Sequence, residues 1–366
     1  MTPLINLLPW KPGHSGFGSY VQRVVPGIDG LRLQLGRDGQ AVMLTPGQWS
    51  SEPPAWAPGV SMRFLQRYSL VQHGIRPSTL LQRNGIKLDQ LEAIYSPFFD
   101  ALLCWPQVPQ LITCHDLTPL VASNSRKAWL RYRLWQPRHC RVATRLIAIS
   151  RYVADQLVQF GVEAERIEVI PNGITIERPR VLSPGSEDLL ALARHDVNKN
   201  VPALLRGVGQ LQTLCPRWKG VLRIVGRSGR QSSLIQRLHR QLPAPAQVKL
   251  IDAMPLQELM ACMRSSLALI SASSEEGFDY PVLEAKAEGI PTIVSDIPVH
   301  REFHETSSLL FSGVDDGVGF AEQVRTLLVD SSLWSQLSRD GWTLAERLSV
   351  DAQQSAIVSQ LASLVR

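Results

Sequence analysis

One feature constrains the fold more than any other: short apolar runs, each followed by a helical stretch, recur along the whole chain. Runs rich in Ile, Val and Leu that are too short for buried helices suit strands covered on both faces. Strands separated by helices imply β-α units around a parallel sheet. In the first half the candidate strands are Leu4–Leu8, Ala41–Thr45, Ala93–Ser96, Gln110–Cys114, Thr144–Ser150 and Ile167–Ile170. In the second half they are Asp188–Arg194, Val221–Gly226, Val248–Ile251, Leu267–Ala272 and Pro291–Ser295. Between the two sets, Pro171–Ser186 carries three prolines and two glycines without periodicity, which marks a linker. Ser332–Val365 reads as helical, with a break near Ser349–Asp351. The expected class is therefore α/β: two Rossmann-like domains with a cleft between them, over residues 1–180 and 181–345, then a terminal helix over 346–366. A chain of 366 residues is long enough for both.

Charge and cysteine usage narrow the setting. Residues 1–183 hold 20 Lys/Arg against 12 Asp/Glu, whereas residues 184–366 hold 18 against 20. The positive half needs an anionic counterpart, such as phosphate, anionic lipid or nucleic acid. Leu117–Ala154 contains no acidic residue. It carries Arg126, Lys127, Arg131, Arg133, Arg138, Arg141, Arg145 and Arg151, interleaved with Trp129, Tyr132 and Trp135. Such a stretch suits an anionic membrane surface or a lipid-diphosphate acceptor. Equally, the aromatics can pack inward while the arginines stay in water. The five cysteines form no C-x-x-C pair, so neither a zinc site nor a disulfide framework is expected, and reduced thiols point to the cytoplasm. No apolar run reaches the roughly 18–20 residues of a membrane span. The opening MTPLINLLPWKPG lacks a basic n-region and reads as a first strand. The Pro- and Trp-rich loop Pro46–Pro58 is either a functional lid or surface decoration.

The stretch Ser271–Glu284 carries the most chemistry. A strand ends near Ala272, a helix begins near Pro281, and Gly277 permits a tight turn between them. Free N–H groups at such a turn suit a phosphate or a sugar oxygen. Glu276 and Glu284 flank it, and each carboxylate can accept bonds from paired hydroxyls. Acidic residues near a helix N-terminus also serve the helix dipole, so spacing alone leaves both readings open. Upstream, Arg194 and Lys199 lie between a strand end and a helix start, where two cations can neutralise a diphosphate. His115-Asp116 ends the strand LITC and is either functional or a local cap. Gly13, Gly16 and Gly18 follow the first strand and let backbone approach a ligand closely.

These stretches resemble retaining glycosyltransferases of the GT-B fold, glycosyltransferase family 4 in particular. The family's E-x7-E motif, E-G-F-G-L-P-x-x-E-A-x-A-x-G-x-P-V, is matched from Glu276 through Gly277, Phe278, Asp279, Tyr280, Pro281, Val282, Leu283 and Glu284 to Thr292, with Asp279-Tyr280 in place of Gly-Leu. Ala193-Arg194 through Lys199-Asn200 resembles the G-R-x-x-x-x-K-N element, with Ala193 for Gly. Ser150-Arg151 and Pro171-Asn172-Gly173 resemble the turns that frame the cleft and linker. The resemblance runs from about residue 10 to about 345, strongest over 144–304 and weakest over 30–90.

It implies transfer of a hexose, with a lean to mannose, from a GDP- or UDP-linked donor to a glycan or lipid-linked acceptor. That is hexosyltransferase chemistry of surface polysaccharide or lipopolysaccharide biosynthesis. It implies retention of configuration, with no metal and no other cofactor. The catalytic residues it implies are His115 beside the transferred sugar, Glu276 on the sugar hydroxyls, and Arg194 and Lys199 on the diphosphate. The donor-binding set adds Gly16, Gly18, Gly277, Phe278, Asp279, Tyr280, Val282 and Glu284, with Glu284 on the ribose. It also implies that the final helix crosses back to the N-terminal domain. Peripheral contact with the inner face of a membrane fits the basic stretch. Other GT-B sugar-nucleotide enzymes, epimerase-like, and non-catalytic glycan or nucleotide binders share the fold and stay open. The acidic balance of the second half argues against a nucleic-acid partner.

Overall fold

The computed structural model describes residues 3–6, 16–28, 32–35, 41–44, 89, 91–99, 105–121, 126–312 and 317–364. The loop Pro46–Pro58 and residues 12–15 of the first glycine-rich turn lie outside these. The chain divides into two compact units: Met1–Leu120, Ser125–Gly173 and Val350–Arg366 form the first, and Val121–Asn124 with Ile174–Ser349 the second.

In unit one the elements run β1 (Pro3–Asn6), α1 (Gly16–Val24), β2 (Arg32–Leu35), β3 (Ala41–Leu44), β4 (Ala93–Ser96), β5 (Gln110–Cys114), α2 (Arg126–Val142), β6 (Arg145–Ala148), α3 (Arg151–Gln159) and β7 (Ile167–Val169). The sheet order is β3-β2-β1-β4-β5-β6-β7. β4 and β5 are buried at every position, as strands covered on both faces must be. One pair departs from the parallel expectation: β2 and β3 run antiparallel, Arg32 opposite Leu44. Only Gly36-Arg37-Asp38-Gly39-Gln40 separates them, which is too short for a crossover helix and rich in turn residues. β2 itself was not expected, because RLQL offers too short an apolar pattern.

Unit two continues with β8 (Leu189–Leu192), α4 (Val201–Leu214), β9 (Leu222–Val225), α5 (Ser232–Arg240), β10 (Val248–Ile251), α6 (Leu256–Ser265), β11 (Ala268–Ser271), α7 (Tyr280–Ala287), β12 (Thr292–Ser295), α8 (Pro298–His304), β13 (Leu309–Phe311), α9 (Val318–Val329) and α10 (Ser331–Arg347). Its strands are all parallel, in the order β10-β9-β8-β11-β12-β13. This is the Rossmann order, with its switch point between β8 and β11. β13, a three-residue edge strand, was also not expected. The core joins Leu189, Ala191, Leu222 and Ile224 to Leu204, Val208 and Leu211 of α4 and Val324 of α9.

The last helix, α11 (Val350–Leu364), belongs to unit one. Ile357 and Leu361 are buried against Ile5, Tyr20, Val24 and Ala93, each worth about 1.5–3 kcal/mol of apolar burial. Polar bonds fix its register. Gly173 N donates to Gln353 Oε1 at 2.9 Å, and Gln353 Nε2 donates to Asn172 Oδ1 at 3.1 Å. The Pro171-Asn172-Gly173 turn thus seats this helix. Gly27 sits against Gln354, where an added Cβ would lie 2.0 Å from the amide carbon and displace that side chain.

Candidate active site

In unit two the turn after β8 meets the turn after β11, on the carboxyl side of the switch point, where open α/β sheets bind ligands. A backbone bond joins them: Ser274 N donates to Asn198 O at 2.8 Å. Asn198 Nδ2 donates to the Glu275 carbonyl at 3.4 Å. Gly226 makes room for the first turn, since a Cβ there would stand 2.2 Å from the Ala193 carbonyl oxygen.

This clasp brings Lys199 to the acidic turn. Its Nζ lies 2.7 Å from Glu276 Oε1 and 3.4 Å from Asp279 Oδ1, with all three side chains largely withdrawn from water. Burial opposes the Lys199 charge, but Asp279 and Glu276 outweigh it and hold the ammonium above its ordinary value. The two carboxylates part company. Burial pushes Glu276 up, with the neighbouring Asp279 charge adding to the rise and Lys199 countering it. Asp279 is buried as deeply, yet Lys199 and His300 hold it well below the usual carboxylate range. Two carboxylates on one lysine, driven in opposite directions, are an arrangement typical of functional sites.

Asp279 also bends the chain. It precedes α7 with φ +64° and ψ +69°, the left-handed region. Lys199 is followed by Asn200 at φ +46°, directly before α4. These are the two non-glycine residues of positive φ among those described. Asp and Asn tolerate this region better than other L-residues, at a cost on the order of 1 kcal/mol. Both therefore stand at helix N-termini that border the site.

The remaining expected residues fall into three groups. Arg194 is not drawn into the cluster: its side chain is 65% exposed and pairs with Asp196 Oδ2 at 3.2 Å. Glu284 is half-buried on α7, one turn beyond Tyr280. Val282 and Phe278 turn their side chains into the core. Val282 is fully buried in the core beneath α7 beside Leu190, Val225 and Val294. Phe278 is 2% exposed and stacks edge-on with Phe303, ring centroids 4.9 Å apart. Hydrophobic residues in this turn anchor it to the core, leaving their backbone groups for a ligand. Gly277 lies between Glu276 and Phe278, buried in the turn, and Tyr280 is half-buried.

In unit one, Gly16 and Gly18 lie within the first turn of α1, not in the loop before it. His115 follows β5 and is buried. Its Nε2 lies 2.8 Å from the Pro97 carbonyl, which can only accept, so Nε2 carries the proton. Burial lowers its pKa to about 4, so the ring is neutral near pH 7. Tyr20 packs edge-on against it at 4.4 Å. Beside it Tyr20 Oη, Tyr95 Oη and Thr113 Oγ1 form a closed triangle of hydrogen bonds at 2.9, 3.2 and 3.2 Å. On α2, Tyr132 is buried whereas Trp129 is 42% exposed, so the aromatics of the basic stretch do not all pack inward.

His300 escaped the sequence reading. Its Nε2 lies 3.1 Å from Asp279 Oδ2, to which Ser271 Oγ also donates. The available signal was His300 and His304, four apart on one face of α8.

Residues 34–178 match the family described as Glycosyltransferase Family 4, and residues 186–330 match Glycosyl transferases group 1. The chain belongs to glycosyltransferase family 4/group 1. Among curated relatives of this family 4 member, the O-antigen chain mannosyltransferase RfbU of Salmonella typhimurium is 26% identical over 224 residues, covering 60% of this chain and 60% of that protein. The GDP-mannose:cellobiosyl-diphosphopolyprenol alpha-mannosyltransferase of Xanthomonas campestris is 26% identical over 197 residues, covering 52% of this chain and 50% of that protein. The chain thus spans about half to three fifths of the length of these two relatives. The Anabaena protein HepE, solved in complex with UDP-glucose, aligns over 99% of both chains at a TM-score of 0.73 and 16% identity, and so shares the GT-B fold of two Rossmann-like domains.

Proposed function

We propose that this family 4 protein is a retaining hexosyltransferase. It takes a hexose from a nucleotide diphospho-sugar and places it on a glycan or lipid-linked acceptor of a surface polysaccharide. The observation that carries this reading is the Lys199–Glu276–Asp279 cluster at the switch point of unit two, with the N-terminus of α7 opening beside it. An ammonium held charged by neighbouring carboxylates against the cost of burial is suited to meet a diphosphate, and it can stabilise that group as it departs. Arg194, exposed on the same turn, can swing to a second phosphate oxygen. Glu276 accepts hydroxyls of the donor sugar, Glu284 those of the ribose, and backbone N–H groups of Gly277–Tyr280 add to the field. Neutral His115 contributes hydrogen bonding to the transferred sugar rather than charge. Mannose is favoured among hexoses by the two mannosyltransferases above; a lipopolysaccharide 1,6-galactosyltransferase of Salmonella typhimurium, 26% identical, and the UDP-glucose held by HepE keep UDP-linked donors in view.

The acceptor side has its own support. No helix among the described residues is long and apolar enough to cross a membrane. Yet α2 exposes Trp129, Leu130 and Leu134 beside exposed Arg126, Arg133 and Arg141. A basic helix with exposed apolar residues suits the cytoplasmic surface of an anionic bilayer, where lipid-linked saccharides are presented.

The test is a transfer assay with GDP-mannose, UDP-glucose and UDP-galactose against polyprenyl-diphosphate-linked saccharides, with the product anomer read by NMR. Transfer from one donor with its anomeric configuration kept is expected. Donor hydrolysis alone, epimerised nucleotide sugar or an inverted product would overturn the proposal.

A further inference from the structure

Asp279 stands where the family motif has glycine, and it adopts the backbone that glycine would. Its carboxylate is 1% exposed. A buried charge this close to the phosphate anchor is little screened by water. It must therefore act on whatever anion Lys199 holds.

We propose that Asp279 is an electrostatic counterweight in the donor site, weakening the hold on the nucleoside diphosphate product so that it leaves after transfer, and that His300 sets its strength. The inference rests on the reading of Lys199 as the diphosphate anchor. In transfer the bond from the anomeric carbon to the β-phosphate oxygen breaks, and its electron pair stays on that oxygen. The acceptor hydroxyl oxygen bonds to the anomeric carbon, and its proton passes to the departing phosphate or to solvent. The freed nucleoside diphosphate ionises further than the donor did and carries more negative charge. A fixed carboxylate beside the lysine therefore repels product more than donor.

His300 lies at the other carboxylate oxygen. Its Nδ1 is 2.7 Å from the Ser295 carbonyl oxygen and its Nε2 is 3.1 Å from Asp279 Oδ2. A carbonyl and an ionised carboxylate only accept. The buried ring thus ties Asp279 to the backbone after β12, and Glu276, Lys199, Asp279 and His300 form one continuous row of contacts. A ring nitrogen bonded to Oδ2 offsets part of the Asp279 charge, so removing either residue moves product binding in opposite directions.

The test is calorimetric titration of UDP and GDP into the full chain at fixed pH and ionic strength. The variants are Asp279→Asn, Asp279→Gly, His300→Gln and Lys199→Ala. Asparagine and glycine both accept the left-handed backbone, so at least one of the first pair should fold. Asp279→Asn is expected to bind nucleoside diphosphate about tenfold tighter, with a lower kcat and a smaller change in donor KM as product release slows. Asp279→Gly should move in the same direction. His300→Gln leaves the carboxylate uncompensated and should bind about threefold to tenfold weaker. A purely structural role would weaken binding in every variant. Unchanged or weaker binding in both Asp279 variants, while wild type binds and Lys199→Ala does not, would overturn the counterweight and leave the anchor standing. No binding by wild type, or equal binding by Lys199→Ala, would overturn the anchor and the counterweight with it.

Discussion

The two units solve the same packing problem with opposite electrostatics. Unit one gathers neutral polar groups about β4 and β5: the Tyr20–Tyr95–Thr113 hydroxyl triangle and a His115 that burial keeps uncharged. Unit two floors its end with Lys199 between the carboxyls of Glu276 and Asp279, and His300 bonded to Asp279 behind them. A neutral floor suits a hydroxyl-rich ligand, for which hydrogen-bond direction matters. An ionic floor suits a group whose charge grows during reaction. The division lies in where these groups sit: Tyr95 and Thr113 on strands and Tyr20 on a helix in unit one, Lys199, Glu276 and Asp279 in the segments after β8 and β11 in unit two.

The largest test of that contrast removes the ionic floor. Lys199→Ala leaves Glu276 and Asp279 facing each other without a cation, and turnover is expected to fall by about 10³-fold or more. Glu276→Ala should act in the same direction, with circular dichroism showing that the fold survives. Near wild-type transfer by both variants would contradict the division. The next test leaves the sites alone: Ile357→Ala in α11, buried in unit one, should cost about 2–5 kcal/mol in denaturant unfolding. The Lys199 anchor should still bind nucleotide in that variant.

A third test uses pH. His115 has a folded pKa of about 4 against an ordinary 6.5, so the unfolded chain binds this proton more readily. Its contribution is fully present above pH 6.5 and is lost as pH falls toward 4, by about 3 kcal/mol over the whole window. His115→Gln should flatten the pH dependence of Tm across that range. In unit two, Asp279 and Glu276 are shifted in opposite directions, so their contributions to acid stability partly cancel. The smallest test is Ser150→Ala. Ser150 caps α3 by accepting from Val153 N at 3.1 Å, and its loss should cost about 1 kcal/mol.

Much of this was legible in the sequence, for physical reasons that also mark where legibility ended. Strands β4 and β5 fall on their expected residues because a strand buried on both faces must be continuously apolar or nearly so. The short strands β2 and β13 carry too few apolar residues to stand out. Lys199 and Glu276 were readable because each sits in a dense local motif. His300 was not: its contact with Asp279 exists only through the fold, and a lone histidine on a short helix carries no local mark. Val282 and Phe278 shared the motif's neighbourhood, but a motif does not say which of its residues face inward. Asp279 was visible as a departure, whereas its left-handed backbone and its three side-chain partners, Lys199, Ser271 and His300, were not.

The central claim, a nucleotide diphosphate site anchored by Lys199 in unit two, is tested most directly by thermal shift. Wild type and Lys199→Ala would be screened against UDP, GDP, ADP, dTDP and their common sugar conjugates. At ~100 times its dissociation constant a ligand stabilises the fold by about 2.7 kcal/mol. The account predicts a clear rise in Tm with one nucleotide family for wild type and none for Lys199→Ala. A folded wild type that responds to no nucleotide, or a Lys199→Ala variant that responds equally, would contradict it.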